Sequence, residues 1–114
     1  MSKTIEFYFD FGSPTAYLAH TQMPGLAERT GARVVYRPLA LGAVFKITGN
    51  NSPGAVPAKS AYLKTQDLPR FVRRYGIPFV FPPGFPINTK LLMRGAVAAA
   101  GDDDYETYVD TVFN

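Results

Sequence analysis

The sequence contains no cysteine and no tryptophan, and it has a single histidine, His20. Without cysteine, the chain cannot form disulfides, bind a metal through thiolates or attack a substrate with its own sulfur. Thiol–disulfide exchange by the chain itself is therefore excluded. With only one histidine, neither a metal centre nor a histidine-based triad is predicted. We interpret His20 as a surface or packing residue rather than a catalytic base.

Long apolar runs and blocks of one charge are also missing. No stretch reaches membrane-spanning length, and residues 1–20 lack the basic and apolar segments of a secretory signal. The net charge is +3, but the basic residues are dispersed, so no nucleic-acid surface is predicted. We therefore expect a cytoplasmic protein without membrane or nucleic-acid partners. The mildly basic balance favours small anionic ligands.

The residues that are present are typical of a globular domain, since 46% are apolar and 18% charged. "TIEFYFDF" alternates and is rich in aromatic residues, which predicts a strand. Pro14 suits the first turn of a helix, and Gly31 suits its end. "ARVVYRPLAL" predicts a second strand that stops near Pro38. A helical connection of this length predicts two parallel strands in a β-α-β unit.

The second part of the sequence predicts helices and loops only. "GAVFKITGNNSPGAVP" is a long loop, or a short helix followed by a loop. A helix with a basic outer face follows, interrupted or restarted near Pro69. "IPFVFPPGFPINT" contains four prolines and cannot be a regular element. Thr89 or Asn88 is positioned to cap the next helix, and "GDDDYETYVDTVFN" predicts a last helix with one apolar stripe.

These elements define an α/β fold with two parts, a β-α-β unit over residues 1–41 and a helical region over residues 42–114. Two parallel strands cannot make a stable sheet core alone. The last helix also reaches the end of the sequence without a capping signal. We therefore expect the chain to be the first half of a larger protein, or to be completed by a partner, with a homodimer as the expected assembly.

Ser13 is the first candidate for a functional residue, because it lies where a strand is followed by a helix. Ligands bind near the carboxyl ends of strands in α/β sheets, and a helix N-terminus stabilises an anion. Serine is also an ordinary N-cap residue, and the residue pattern by itself favours a cap. The two roles are compatible.

The stretch "FYFDFGSPTAYLA" resembles the N-terminal signature of the 2-hydroxychromene-2-carboxylate isomerases and kappa-class glutathione transferases. The resemblance continues through "YRPLALGAVFKITGN" and through residues 56–99, so that it spans about residues 5–113. It implies a DsbA-like thioredoxin fold whose helical part is an insertion. Members of the family are about twice as long, so the resemblance also implies that the C-terminal half of the fold, with its cis-proline loop and γ-glutamyl site, is absent from this sequence.

The resemblance implies glutathione as cofactor, with the Ser13 hydroxyl facing its thiol and with Asn50 and Lys59 as further contacts. DsbA itself carries a redox cysteine pair at this strand-to-helix junction. The resemblance implies that the reactive sulfur comes from glutathione here, which explains why serine occupies the position in a chain without cysteine. From the residues alone, Asn50 also suits a turn, and Lys59 also suits a solvated surface. Phe11 and Lys59 are candidates to bind an anionic aromatic substrate, whereas Phe79 and Phe81 are predicted to lie in the core.

The implied activity is glutathione-dependent isomerisation of 2-hydroxychromene-2-carboxylate in aromatic catabolism, by thiolate addition, bond rotation and elimination. A kappa-like glutathione transferase is the first alternative, because both activities share the signature. The second alternative is a truncated, non-catalytic fragment that acts as an interaction module or a swapped dimer.

Overall fold

Two strands and the helix between them form the first unit of the computed structural model, which describes residues 3–114. Strand β1 spans Thr4–Phe9 and strand β2 spans Arg33–Pro38, and the two are parallel, with Thr4 opposite Arg33 and Phe9 opposite Pro38. Helix α1 spans Pro14–Thr30 and connects them. The predicted β-α-β unit and its parallel pairing are confirmed.

The ends of α1 are set by local chemistry. Ser13 has an extended backbone, and its hydroxyl accepts a hydrogen bond from the N–H of Ala16 at 3.1 Å, while Pro14 occupies the first turn. Gly31 ends the helix with a φ of 69°, a left-handed conformation that glycine adopts without steric cost. Pro24 lies inside α1, and the helix continues past it.

Five further helices follow the β-α-β unit: α2 (Leu41–Thr48), α3 (Pro57–Tyr62), α4 (Leu68–Tyr75), α5 (Lys90–Ala99) and α6 (Tyr105–Phe113), with a short 3₁₀ turn at Pro53–Ala55. Of the two predictions for the segment after β2, the short helix followed by a loop is the one that the structure contains. The predicted stretch without regular structure is confirmed, because residues 76–89 form neither helix nor strand, and their Phe85–Pro86 peptide bond is cis.

The predicted interruption and restart of the helix near Pro69 are confirmed, because α4 begins at Leu68 with Pro69 in its first turn. Helices α3 and α4 are joined by a π-helical turn over Leu63–Asp67, in which the N–H of Leu68 bonds to the carbonyl of Leu63. Proline lacks the N–H that an α-helix would direct to the carbonyl four residues earlier, and its ring crowds that carbonyl. A widened turn accommodates this, so a π-helical turn and not a loop separates α3 from α4.

One face of the two-stranded sheet packs against helices. Phe7 and Phe9, two positions apart in β1, both point to this face. They are buried with Met93 and Ala96 of α5 and Val109 of α6. The apolar stripe predicted on α6 packs here, which explains why the stripe is apolar. The division into residues 1–41 and 42–114 stays a prediction.

Candidate functional site

The turn that follows β1 positions Ser13. The N–H of Ser13 donates to the main-chain carbonyl of Asp10 at 2.9 Å, and its hydroxyl oxygen accepts the N–H of Ala16. The same hydroxyl lies 3.0 Å from the hydroxyl of Thr15, and either group can be the donor. With Thr15 as donor, the Ser13 hydroxyl proton is free to hydrogen-bond an anion next to the helix N-terminus.

Ser13 lines a cavity of about 390 Å³ whose walls are mainly apolar and include five aromatic rings. Phe11 forms one wall together with Phe113, their ring centres 4.8 Å apart. Tyr17 contributes a further wall, and its hydroxyl donates to the carbonyl of Pro78 at 2.6 Å. Ser13 and Phe11, both predicted as site residues, therefore lie in one cavity.

Phe79 and Phe81 also line this cavity, and the prediction that they belong to the core is wrong. They follow Gly76 in a proline-rich loop that passes over α1 and not through the interior. Their rings meet edge to face, with centres 5.1 Å apart, and both are only partly buried. An aromatic residue in an alternating run indicates burial on average, but the prolines prevent the strand that the alternation would need.

Asn50 and Lys59 do not line the Ser13 cavity. Asn50 is exposed after α2, where its side-chain amide donates to Thr48 and its N–H donates to the carbonyl of Phe45. Lys59 is exposed on α3. These contacts match the turn-shaping and surface roles that the residues alone suggested, and the roles implied by the resemblance stay predictions.

A different lysine contacts the wall of the cavity. The ammonium group of Lys64 lies 5.9 Å from the centre of the Phe81 ring, within the range of a cation–π contact. Lys64 belongs to the π-helical turn, which sequence reasoning did not foresee. The only feature of the sequence that could have pointed to Lys64 is its positive charge close to Pro69.

The carboxylate of Asp10 is the main polar group near the site that sequence reasoning missed. It is buried with the hydroxyl of Thr89, which donates to it at 2.6 Å. Thr89 therefore does not cap α5, and the first N–H of that helix bonds to the side chain of Asn88 instead. Asp10 and Thr89 also line a second cavity, of about 720 Å³, between the starts of α2 and α5.

His20 is buried against Phe113, as expected for a packing residue, with the two rings stacked 4.8 Å apart. Its ring nitrogens lie 2.9 Å from the Tyr36 hydroxyl and 2.9 Å from the Asp110 carboxylate. Burial, followed by the nearby carboxylates of Glu106 and Asp110, raises the pKa of Tyr36 to about 12. Tyr36 is therefore neutral and not activated as a nucleophile.

Within residues 3–114, no group of three or more His, Asp and Glu side chains is arranged to hold a metal ion. Over the same residues, no helix is long and apolar enough to cross a membrane.

A model of the DsbA-like thioredoxin domain matches residues 4–114. The chain belongs to the DsbA-like thioredoxin family. Its α/β architecture consists of a β-α-β unit followed by helices.

Among curated relatives, the chain is similar to 2-hydroxychromene-2-carboxylate isomerase from Sphingobium xenophagum, at 36% identity over 100% of this chain and 58% of that protein. It is also similar to glutathione S-transferase kappa 1 from Caenorhabditis elegans, at 40% identity over 71% of this chain and 36% of that protein. A solved structure of a 2-hydroxychromene-2-carboxylate isomerase superposes with a TM-score of 0.82 and 35% identity, covering 97% of this chain and 54% of that one. The chain spans about half the length of the isomerases that it matches.

Proposed function

We propose that this chain contributes the thiolate-stabilising half of a glutathione-dependent isomerase that acts on a 2-hydroxychromene-2-carboxylate. The observation that supports this most directly is Ser13 at the start of α1, with its hydroxyl in an aromatic-walled cavity. The similarity to isomerases of that name supports the same activity. The chain has no cysteine, and Ser13 places a hydroxyl at the helix start. This hydroxyl can donate a hydrogen bond to a thiolate that belongs to another molecule.

The residues of the site fit a glutathione thiol. Glutathione, when bound, would supply a thiolate able to add reversibly to the substrate. Ser13 donates a hydrogen bond to the thiolate, and the free N–H of Thr15 at the helix start adds positive potential. Both favour the anion over the thiol, which lowers the pKa of the thiol.

The remaining residues are proposed to bind and orient. Phe11, Phe79 and Phe81 line the cavity and favour an aromatic substrate, and the net charge of +3 favours an anionic one. Asn50 and Lys59 remain proposed contacts for glutathione or for the substrate carboxylate. We place the reaction in the cytoplasm, where glutathione is kept reduced.

A kappa-like glutathione transferase is the second candidate, favoured by the similarity to glutathione S-transferase kappa 1. In a transferase the glutathione adduct is the product, whereas in an isomerase glutathione is regenerated. The same Ser13 geometry serves both reactions, so the substrate separates them.

The test supplies 2-hydroxychromene-2-carboxylate and an electrophilic chloroarene in parallel, each with and without glutathione. We expect glutathione-dependent interconversion of the chromene with no consumption of glutathione. Ser13→Ala should lower turnover more than it weakens glutathione binding, and Ser13→Thr, which keeps the hydroxyl, should retain most of the turnover.

Loss of the cap alone costs about 0.5–2 kcal/mol, so thermal unfolding of both variants is measured alongside. Full activity of a folded Ser13→Ala variant would exclude the assigned role. Consumption of glutathione with the chloroarene alone would favour the transferase.

We also propose that the chain forms a homodimer. In residues 3–114, β1 and β2 pair only with each other, so each strand has an outer edge. Exposed strand edges pair readily with other chains. Sedimentation equilibrium should give about twice the chain mass of 12.5 kDa, and a monomer at all concentrations would contradict the proposal.

A further inference from the structure

The carboxylate of Asp10 is 7% exposed and accepts hydrogen bonds from three separate segments. One oxygen accepts the N–H of Gly12 at 2.8 Å and the hydroxyl of Thr89 at 2.6 Å. The other oxygen accepts the N–H of Leu41 at 3.0 Å. Its main-chain carbonyl accepts the N–H of Ser13 at 2.9 Å. This single residue therefore connects the turn that holds Ser13 to the starts of α2 and α5.

We propose that Asp10 is the positioning residue of the Ser13 site, an inference that rests on the proposed function. Asp10 does not line the Ser13 cavity and acts on it only through the turn of residues 10–13. Its role is to fix the direction in which the Ser13 hydroxyl and the first N–H groups of α1 point.

The turn is packed closely around the carboxylate. A Cβ added to Gly12 would lie 3.3 Å from the Asp10 carboxylate oxygen and 3.3 Å from the Thr89 methyl group. Contacts this short leave little room for the turn to adopt another path. The position of Ser13 is therefore coupled to the placement of Thr89, which lies 79 positions away along the chain from Asp10.

Asp10 also supplies an acceptor that the start of α2 lacks, and it holds the residue that precedes α5. Helix α2 begins after Ala40, whose side chain cannot cap, and Asp10 accepts the N–H of Leu41 instead. At the start of α5, Asp10 accepts the Thr89 hydroxyl, while the first N–H of the helix bonds to Asn88. A negative charge near helix starts is favourable, because it faces the positive end of each dipole.

The partners require a carboxylate. Two of the three groups that face it, on Gly12 and Leu41, are main-chain N–H donors that point at different oxygens. Asparagine has one acceptor oxygen, so Asp10→Asn would place an amide N–H against one of these donors. A buried donor without an acceptor is costly, and the turn would have to move.

Because the chain has no cysteine, a single thiol can be introduced and titrated without interference from others. Ser13→Cys installs the only thiol of the chain at the start of α1, and the pH dependence of its alkylation by iodoacetamide gives its pKa. We expect this pKa to lie below the ordinary value of a thiol, because the helix start favours the anion. Adding Asp10→Asn should raise it by about one unit, since the thiol loses its alignment with the N–H groups.

The sign of this change separates positioning from a simple charge effect. Removing a nearby negative charge, with the geometry intact, would lower the pKa of the installed thiol. A fall, or no change, in Ser13→Cys/Asp10→Asn would therefore overturn the proposal. Asp103→Asn removes an equivalent charge from the exposed turn between α5 and α6 and should leave the pKa unchanged.

A second pair of variants keeps the test decisive if Asp10→Asn fails to fold. Thr89→Val removes one hydrogen bond to Asp10 while nearly preserving shape, and it should raise the thiol pKa by a smaller amount. Thr89→Ser keeps the hydroxyl and should behave like Thr89. Equal pKa values for Thr89→Val and Thr89→Ser, both folded by circular dichroism, would overturn the proposal.

The alkylation assay contains no glutathione, so its result is independent of the proposed function. In the chain with Ser13 intact, Asp10→Asn should lower kcat for the chromene about tenfold with a smaller effect on the KM for glutathione. If the chain with Asp10 intact shows no glutathione-dependent reaction, the proposed function fails while the alkylation result still decides the role of Asp10.

Discussion

At the scale of single residues, the buried polar groups of this chain are paired. Throughout residues 3–114, every buried side-chain nitrogen or oxygen has a hydrogen-bond partner. His20 illustrates the rule, because one ring nitrogen is paired with the Tyr36 hydroxyl and the other with the Asp110 carboxylate. The arrangement joins α1, β2 and α6 through one side chain.

Tyr36 gives this cluster a measurable pH dependence. Its pKa is about 12 in the fold and 10.0 without the fold, so the fold favours the neutral form. The contribution to stability is complete below the unfolded pKa, and it is lost as the pH rises toward the folded pKa. The free energy of unfolding should therefore fall between about pH 10 and pH 12.

Urea unfolding at several pH values measures this slope, and Tyr36→Phe should reduce it. Burial also raises the pKa of Tyr105, so part of the slope should remain in Tyr36→Phe. Tyr8→Phe changes an exposed tyrosine, 57% accessible, and serves as the matched control. An identical slope in the parent chain and Tyr36→Phe would show that Tyr36 titrates alike in both states.

The location of Ser13 could be predicted from sequence, because a serine before a proline at a strand-to-helix junction has a strong local preference for the helix start. The role of Asp10 could not be predicted. Its partners at Leu41 and Thr89 are distant along the chain, and only the folded structure brings them to one carboxylate. The same limit applies to Lys64, whose contact with Phe81 depends on the path of a proline-rich loop.

At the scale of elements, α6 approaches α5 closely at Gly95 through the side chain of Tyr108. The Tyr108 hydroxyl crosses to donate to the carbonyl of Leu92 at 2.7 Å, and it passes over Gly95. A Cβ at Gly95 would lie 2.9 Å from the Tyr108 ring carbon that bears the hydroxyl. Glycine is therefore required here by the packing of the two helices.

Gly95→Ala should destabilise the chain by about 1–3 kcal/mol, although alanine is the better helix former. Gly42→Ala is the matched control, because Gly42 is also helical and an added Cβ would meet nothing within 4 Å. That variant should be neutral or stabilising by up to about 1 kcal/mol. Thermal unfolding of both variants checks the pair, and equal effects would contradict the close approach at Gly95.

Elements with strong local signals were predicted with nearly correct ends, as Pro14, Gly31 and Pro38 show. The sequence after β2 is compatible with a loop and with a short helix, because its Gly and Asn residues favour turns while its apolar residues favour the helix α2. The turn at Leu63–Asp67 could not be predicted, because a proline either breaks or widens a helix according to its surroundings. Here Leu68 is buried, and its packing favours a continuous helix.

At the scale of the whole molecule, the net charge of +3 should act on the approach of an anionic substrate. Screening shortens electrostatic attraction from about 30 Å at 0.01 M salt to about 8 Å at 0.15 M. We therefore expect kcat/KM for the chromene carboxylate to decline as salt increases. The methyl ester of the same compound is the neutral control, and an equal salt dependence for both would contradict long-range attraction.

The loop that walls the Ser13 cavity is fastened at two points to the unit it covers. Near one end, the carbonyl of Pro78 is held by Tyr17, and at the other Thr89 is held by Asp10. Between these anchors the chain forms neither helix nor strand, and Phe79 and Phe81 face the cavity. The sequence between the two anchors can therefore change the cavity wall without changing the contacts that hold the loop. We therefore expect exchanges between these anchors to alter which ring systems the cavity admits, while Ser13 and the sheet keep their positions.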